Sequence, residues 1–172
     1  MRAPVDAARI RALARELGGA AREETTLSGG ATAVIEGWRR STVEVDLRLE
    51  PDSDALVRRL SELKEELDLN IELASPPDFV PELPGWRERS PAVFREGRVT
   101  VRHFDLYSQA LSKIERGFAT DLTDVAAMVR HGLVEPQRAK DLFEQIEPML
   151  HRYPAIDPAS FRAKVEPALG DS

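Results

Sequence analysis

The chain has 172 residues, 42% hydrophobic and 31% charged, with 10 Gly and 12 Pro, a mix that excludes a disordered or fibrous protein. A chain of this length buries roughly two-thirds of its unfolded surface and needs no disulfide or structural metal to fold. Lys and Arg number 24 against 30 Asp and Glu, and the net charge of −6 disfavours anionic membranes and DNA as partners, a sequence-specific DNA site included. Cysteine is absent and there are three His, so thiol chemistry is excluded and a His-rich transition-metal site is disfavoured. A hard ion held by carboxylates is the metal that suits this composition. The N-terminus, MRAPVDAARIRALAREL, is charged every few residues with no apolar h-region. No apolar run approaches the ~18 residues of a membrane span, so the expected location is cytoplasmic.

In chain order, Ile10, Leu13, Ala14 and Leu17 at helical spacing predict a helix over 5–17, stopped by Gly18-Gly19. Leu27-Ser28-Gly29-Gly30 reads as a turn and 31–37 as a short helix. Residues 42–49 alternate, with Val43, Val45, Leu47 and Leu49 opposite Thr42, Glu44, Asp46 and Arg48, the pattern of a half-buried strand. Asp52 or Ser53 can cap a helix to Leu67 whose inward face is Leu56, Leu60, Leu63 and Leu67. A second alternating strand follows over 69–73, with Asn70 and Glu72 on its polar side. Between Pro76 and Pro91 five prolines and Trp86 predict a long, stiff loop, the kind that is usually functional or disordered. Val93-Phe94 and 98–104 suit a hairpin around Glu96-Gly97. Helical patterns then cover 106–116, 121–131, 135–153 and 160–169. The expected architecture is α/β at the front and α-helical at the back, either as an α/β core over 1–105 with a helical region over 106–172, or as one domain over 1–172.

Three features in this order carry chemistry. Ser28-Gly29-Gly30 opens a helix, and glycines let a backbone approach a phosphate while free N–H groups attract anions. A plain turn without a ligand has the same sequence. Glu44-Val45-Asp46 puts carboxylates at i and i+2 of a strand, hence on one face, where solvent or a divalent cation can relieve their repulsion. Glu72 lies on the polar face of its own strand. If the two strands are neighbours with agreeing faces, three carboxylates converge in a way that suits two hard ions clamping a triphosphate. Lys113 and Arg116 lie in a helix followed by Asp121 and Asp124, which at i and i+3 share a helix face. Surface charges and a first-turn dipole acid read the same way. Arg87, Arg89, Arg95, Arg98 and Arg102, beside Trp86, form a local basic stretch that could guide an RNA or nucleotide acceptor or could simply discourage edge-strand aggregation. Trp38 reads as a packing residue, His103 as a strand residue without a catalytic role, and His131 as a helix-end dipole partner.

The run LSGGATAVIEGWRRSTVEVDL resembles the signature of the nucleotidyltransferase superfamily: a Gly-Gly turn, a stretch of helix, then a strand with two alternating carboxylates. The later YSQALSKIERGFATDLTDVAAMV looks like the Lys…Arg…Asp-x-x-Asp segment of minimal (AbiEii-like) nucleotidyltransferases of bacterial abortive-infection and toxin–antitoxin systems. LDLNIELASPPDF resembles a family of such proteins known mostly as a domain of unknown function. The resemblance spans Leu27 to Val129 and implies a small mixed sheet flanked by helices and followed by a helical region. It implies that Ser28, Gly29 and Gly30 hold nucleotide phosphates, that Glu44 and Asp46 are paired metal ligands for Mg²⁺ or Mn²⁺, and that Glu72 is the third acid, helping to activate the acceptor hydroxyl. It also implies that Lys113 touches the triphosphate and that Asp121, with Asp124 after it, supplies the acids of the helical segment. The implied reaction moves NMP from an NTP to a hydroxyl on RNA, protein or a small molecule, with a toxin-like role and an antitoxin partner among the expectations. The first acid of the pair is usually Asp and is Glu44 here, one methylene longer. That departure motivates the alternative of a catalytically degenerate nucleotide- or protein-binding module with the same fold.

Overall fold

Alternation of Val45, Leu47 and Leu49 with Asp46, Arg48 and Glu50 makes residues Val45–Glu50 a strand, every apolar member of which is buried. Its neighbours follow the same logic. In the computed structural model, which describes residues 2–170, the sheet contains β1 (Thr25–Gly29), β2 (Val45–Glu50), β3 (Ile71–Leu73), β4 (Ala92–Glu96) and β5 (Val99–His103) in the order β3-β2-β1-β5-β4. β1 runs antiparallel to β2 and parallel to β5, β2 runs parallel to β3, and β4 and β5 form the antiparallel hairpin. The helices are α1 (Ala7–Ala20), α2 (Thr32–Ile35), α3 (Asp54–Glu66), α4 (Leu106–Arg116), α5 (Ala119–Arg130), α6 (Pro136–Ile146) and α7 (Pro158–Leu169). This is a mixed α+β fold of the nucleotidyltransferase-like kind: a small mixed sheet with helices, followed in sequence by a helical region.

The chain divides into two compact units. The sheet unit comprises Met1–Ser75 and Ser90–His103. Its core joins Ile10, Leu13 and Leu17 of α1 and Leu56, Leu60 and Leu63 of α3 to Leu27, Val45, Leu47, Leu49, Ile71, Val99 and Val101 of the strands. Asp6 caps α1 by accepting from Arg9 N–H at 2.9 Å, and Ser53 caps α3 by accepting from Leu56 N–H at 3.2 Å. Of the two caps expected for α3, Ser53 is the one used. Val43 is 71% exposed, because the strand begins at Val45 and the expected alternation does not reach back to Thr42.

The helical unit comprises Pro76–Arg89 and Phe104–Ser172. The proline-rich segment is therefore part of a core, with Val80, Leu83 and Trp86 buried and the Trp86 ring stacked on Phe104 at 4.5 Å. Arg89 binds Asp105 through Nε (3.1 Å) and Nη2 (2.9 Å), and the same wholly buried carboxylate caps α4 by accepting from Ser108 N–H at 3.2 Å. Such a buried carboxylate persists because it is paired and hydrogen-bonded at once. The single helix expected over 135–153 is broken into α6 and a 3-10 stretch, Glu147–Arg152, at Pro148, whose missing N–H cannot continue the α-helical ladder.

One close approach in the sheet unit depends on a missing side chain. A Cβ on Gly18 of α1 would stand 2.2 Å from the carbonyl oxygen of Glu96, where β4 enters the hairpin turn, whereas a Cβ on Gly19 meets nothing within 4 Å. Gly18→Ala is therefore expected to destabilise by ~1–3 kcal/mol through overpacking. Gly19→Ala should be neutral or stabilising by up to ~1 kcal/mol through helix propensity. Chemical denaturation of the two variants measures the difference in sign.

Candidate active site

Asp46 sits in the middle of a row that crosses the sheet. On one side it is paired with Glu72 in the parallel β2–β3 ladder. On the other, Leu47 is paired with Gly29 in the antiparallel β1–β2 ladder, and one step beyond, Gly30 N–H donates to the Asp46 carbonyl at 3.1 Å. Paired residues of adjacent strands share a face, and Glu44, in the segment just before β2, brings its carboxylate to the same place. The result is that one carboxylate oxygen from each of Glu44, Asp46 and Glu72 lies within 4.8 Å of the others. Glu44 and Glu72 are exposed and Asp46 is half-buried. Asn70, at the entry to β3, donates Nδ2 to Glu44 Oε2 at 3.1 Å.

This donor set fits a hard divalent cation. Oxygens on one Mg²⁺ at ~2.1 Å stand at most ~4.2 Å apart, so the 4.8 Å spread closes by small rotations of two exposed glutamate side chains. The extra methylene of Glu44 supplies reach that a shorter acid would have to find in the backbone. A cavity of about 400 Å³ adjoins Glu72, walled by Leu60, Ser61 and Lys64 of α3 and by Ile71 and Leu73 of β3.

The glycine turn differs from the expectation in one respect. β1 runs through Ser28 and Gly29, so the chain turns only at Gly30, and Ser28 is buried opposite Arg48. α2 is a single turn with no side-chain cap at Ala31, too short to build a macrodipole worth invoking. What the turn offers is space. Gly30 does not have a positive φ, and a Cβ there would meet nothing within 4 Å, whereas one on Gly29 would press on Leu47 Cδ2 at 3.0 Å. Within the chain, nothing about Gly30 requires glycine.

The remaining residues of the expected site belong to the helical unit, where they cluster together. Lys113 Nζ binds Asp124 Oδ2 at 3.0 Å and lies 3.9 Å from Asp121 Oδ1, while Arg116 binds Asp121 through two hydrogen bonds of 2.6 and 2.9 Å. Asp121 also accepts from Phe118 N–H at 3.2 Å, at the start of α5. Both carboxylates are buried, and each has its cation.

Two features of the structure were not evident as such in the sequence. His103, at the end of β5, is 2% exposed and is held at both ring nitrogens, by Thr32 Oγ1 on Nδ1 (3.0 Å) and Glu36 Oε1 on Nε2 (2.7 Å). The signal available was its position at the strand's end, without the knowledge that β5 pairs with β1. The basic stretch, in turn, is largely engaged within the chain. Arg89 is bound to Asp105, Arg95 to Glu24 at 2.8 Å, Arg98 to the Arg22 carbonyl and Arg102 to the Ser90 carbonyl at 2.8 Å. Trp86 is 3% exposed and is no stacking platform for a base. His131 is the C-cap of α5, and Trp38 is half-buried.

Burial raises the Asp121 carboxyl, but the Arg116 hydrogen bonds, the Arg116 and Lys113 charges and the Phe118 N–H outweigh it and hold the group below its ordinary 3.8. A carboxyl depressed on folding contributes stability that is complete above the unfolded value and is lost as pH falls through the folded one. Asp121→Asn should therefore lower the melting temperature at neutral pH, and its deficit against the parent should shrink below about pH 4. Thermal melts from pH 7 down to pH 2.5 follow the closing gap.

Residues 8–157 match the model of a family described as "Nucleotidyltransferase of unknown function (DUF6036)", most of the chain, with the carboxylate row and the Lys113 cluster inside the matched span. No curated protein and no solved structure matches. With the mixed sheet, the paired acids and the glycine turn in the order that the superfamily signature requires, the chain belongs to this family of nucleotidyltransferases.

Proposed function

We propose that the chain is a metal-dependent nucleotidyltransferase that moves NMP from an NTP to a hydroxyl on RNA, protein or a small molecule. The carrying observation is the row itself: Glu44, Asp46 and Glu72 bring oxygens within 4.8 Å of one another directly beside Gly30, where open space meets the backbone. Glu44, Asp46 and Glu72 would hold Mg²⁺ or Mn²⁺, which supplies neutralisation of the triphosphate charge and acidifies the acceptor hydroxyl. Ser28, Gly29 and Gly30 position the phosphates, with the bare Gly30 backbone admitting a phosphate oxygen to van der Waals contact. The acceptor oxygen attacks the α-phosphorus in line, the bond from that phosphorus to the bridging oxygen breaks, and pyrophosphate leaves. The proton of the acceptor goes to a Glu72 carboxylate oxygen, which is exposed on the face that carries Asp46. Lys113 and Asp121 enter the reading through the resemblance of their segment, Lys113 as a triphosphate contact. The toxin-like role and the antitoxin partner belong to the same resemblance.

The Lys113–Asp124 ion pair favours a second reading, a nucleotide- or protein-binding module without turnover, because the lysine is already neutralised. One experiment separates them. The purified chain is incubated with each α-labelled NTP, Mg²⁺ or Mn²⁺, and total RNA or lysate. Transfer of label to an acceptor, lost by at least ~100-fold in Asp46→Ala, supports the enzyme. Label that survives Asp46→Ala overturns the assignment, and nucleotide binding by calorimetry that is indifferent to divalent ions favours the second reading. Growth arrest on expression, relieved by Asp46→Ala, tests the toxin role.

Gly30→Ala gives an independent check. Because a Cβ there meets no protein atom, the variant should keep its stability within ~0.5 kcal/mol while weakening NTP binding about tenfold or more. Paired melting and nucleotide titrations read the two quantities.

A further inference from the structure

His103 is the one histidine of the chain that is buried, and its two partners are not arbitrary. Thr32 is the first residue of α2 and Glu36 is its C-cap. They stand at i and i+4, on the same face of the turn, and a single imidazole bridges them. A helix of one turn cannot sustain itself, because nucleation costs more than one closed turn returns. α2 therefore depends on what holds it from outside. The triplet Thr32–His103–Glu36 has the connectivity of a hydroxyl–imidazole–carboxylate relay, but Thr32 is 0% exposed, so its hydroxyl cannot reach a substrate. The arrangement is a clamp.

The place where the clamp acts follows from the strand pairing. In the parallel β1–β5 ladder His103 is paired with Gly29, so the imidazole leaves the sheet beside the exit of β1. The chain from Gly29 to Thr32 is consequently fastened at both ends. Gly30 N–H is tied to the Asp46 carbonyl at 3.1 Å on the β2 side, and Thr32 Oγ1 is tied to His103 Nδ1 at 3.0 Å on the β5 side. The first tie fixes the turn against the strand that carries the carboxylates, and the second fixes its direction away from them.

We infer that His103, oriented by Glu36, is a positioning residue for nucleotide: it sets the path of the Gly29–Gly30 turn relative to Asp46 by clamping Thr32. The inference rests on the reading of that turn as the phosphate contact. Nothing in it requires His103 to exchange a proton or to touch substrate. Its role is to hold a backbone whose correct placement has to be finished before NTP arrives, so its loss should be felt in binding rather than in the chemical step.

The test uses the whole chain and three substitutions. In Glu36→Gln the amide oxygen can still accept from Nε2, in Glu36→Ala nothing can, and in His103→Ala both ties are cut. Amide hydrogen exchange is read first, without nucleotide: His103→Ala and Glu36→Ala should speed exchange at Gly30 to Ile35 by about tenfold or more, while amides of α3 keep their protection. Nucleotide is read next. The Kd or KM for NTP should rise about tenfold in both alanine variants, the worth of one hydrogen bond to a charged group, and stay within about threefold of the parent in Glu36→Gln. The kcat at saturating NTP should change by less than about threefold. Unchanged exchange at Gly30 to Ile35 overturns the clamp. So does a variant that melts earlier yet keeps its KM, which marks a structural role alone, or one whose kcat collapses at constant KM. Faster exchange in variants of a parent that binds no NTP retains the clamp and overturns the nucleotide reading, and with it the positioning role.

Discussion

The pairing of β2 on both of its edges sets the spacing of Asp46, Glu72 and the glycine turn. One edge is antiparallel and brings Gly29 and Gly30 alongside Leu47 and Asp46; the other is parallel and brings Glu72 alongside Asp46. A strand read two residues at a time presents all of its polar members or none of them to a given face. A slip of one residue would send Glu44 and Asp46 into the apolar layer of α1 and α3, and Val45 and Leu47 outward. The burial of Val45, Leu47 and Leu49 is thus what keeps the acids together: the hydrophobic face chooses the register, and the register assembles the carboxylates.

The two groups of acids in this chain illustrate opposite electrostatic solutions. Asp121 and Asp124 are buried, where an unpaired charge is prohibitive, and each is matched to a cation within its own unit. Glu44, Asp46 and Glu72 lie where water reaches at least part of them, and they face one another. Water can support that crowding, and a divalent ion can relieve it. The helical cluster is complete as a structural unit, with the Asp121 carboxyl held low by its cations and both acids paired. The sheet cluster instead gathers three carboxylates at the surface within 4.8 Å of one another.

Much of this was legible from residue order alone. The alternation over 45–49 placed β2, and the i, i+2 spacing put Glu44 and Asp46 on one side of it. The agreement of Glu72 with them was conditional on β3 being a neighbour of β2, which the ladder supplies. Less was legible where long-range pairing decides the outcome. A Leu-Ser-Gly-Gly run carries the local signature of a turn, yet Ser28 and Gly29 are strand residues, because β2 and β5 on either side give their backbone groups partners. His103 has no local pattern to mark it, since its partners lie 71 and 67 positions away. The proline-rich stretch looked like a connection, and only tertiary packing makes Trp86 and Leu83 core residues.

That stretch has a consequence for how the chain comes to be folded. Residues 76–89 belong to the helical unit, while residues 90–103 that follow them belong to the sheet unit, so the polypeptide passes from one unit to the other three times. On a ribosome, Val80, Leu83 and Trp86 emerge before Phe104 and the helices they are buried with. They must wait, uncovered, while the hairpin that completes the sheet is synthesised. Prolines are useful for such a wait: Pro76, Pro77, Pro81 and Pro84 fix φ and remove N–H donors, which makes the segment a poor recruit for a strand. Interleaving also binds the fates of the two units, for no single cut in the backbone would divide the chain into both units whole.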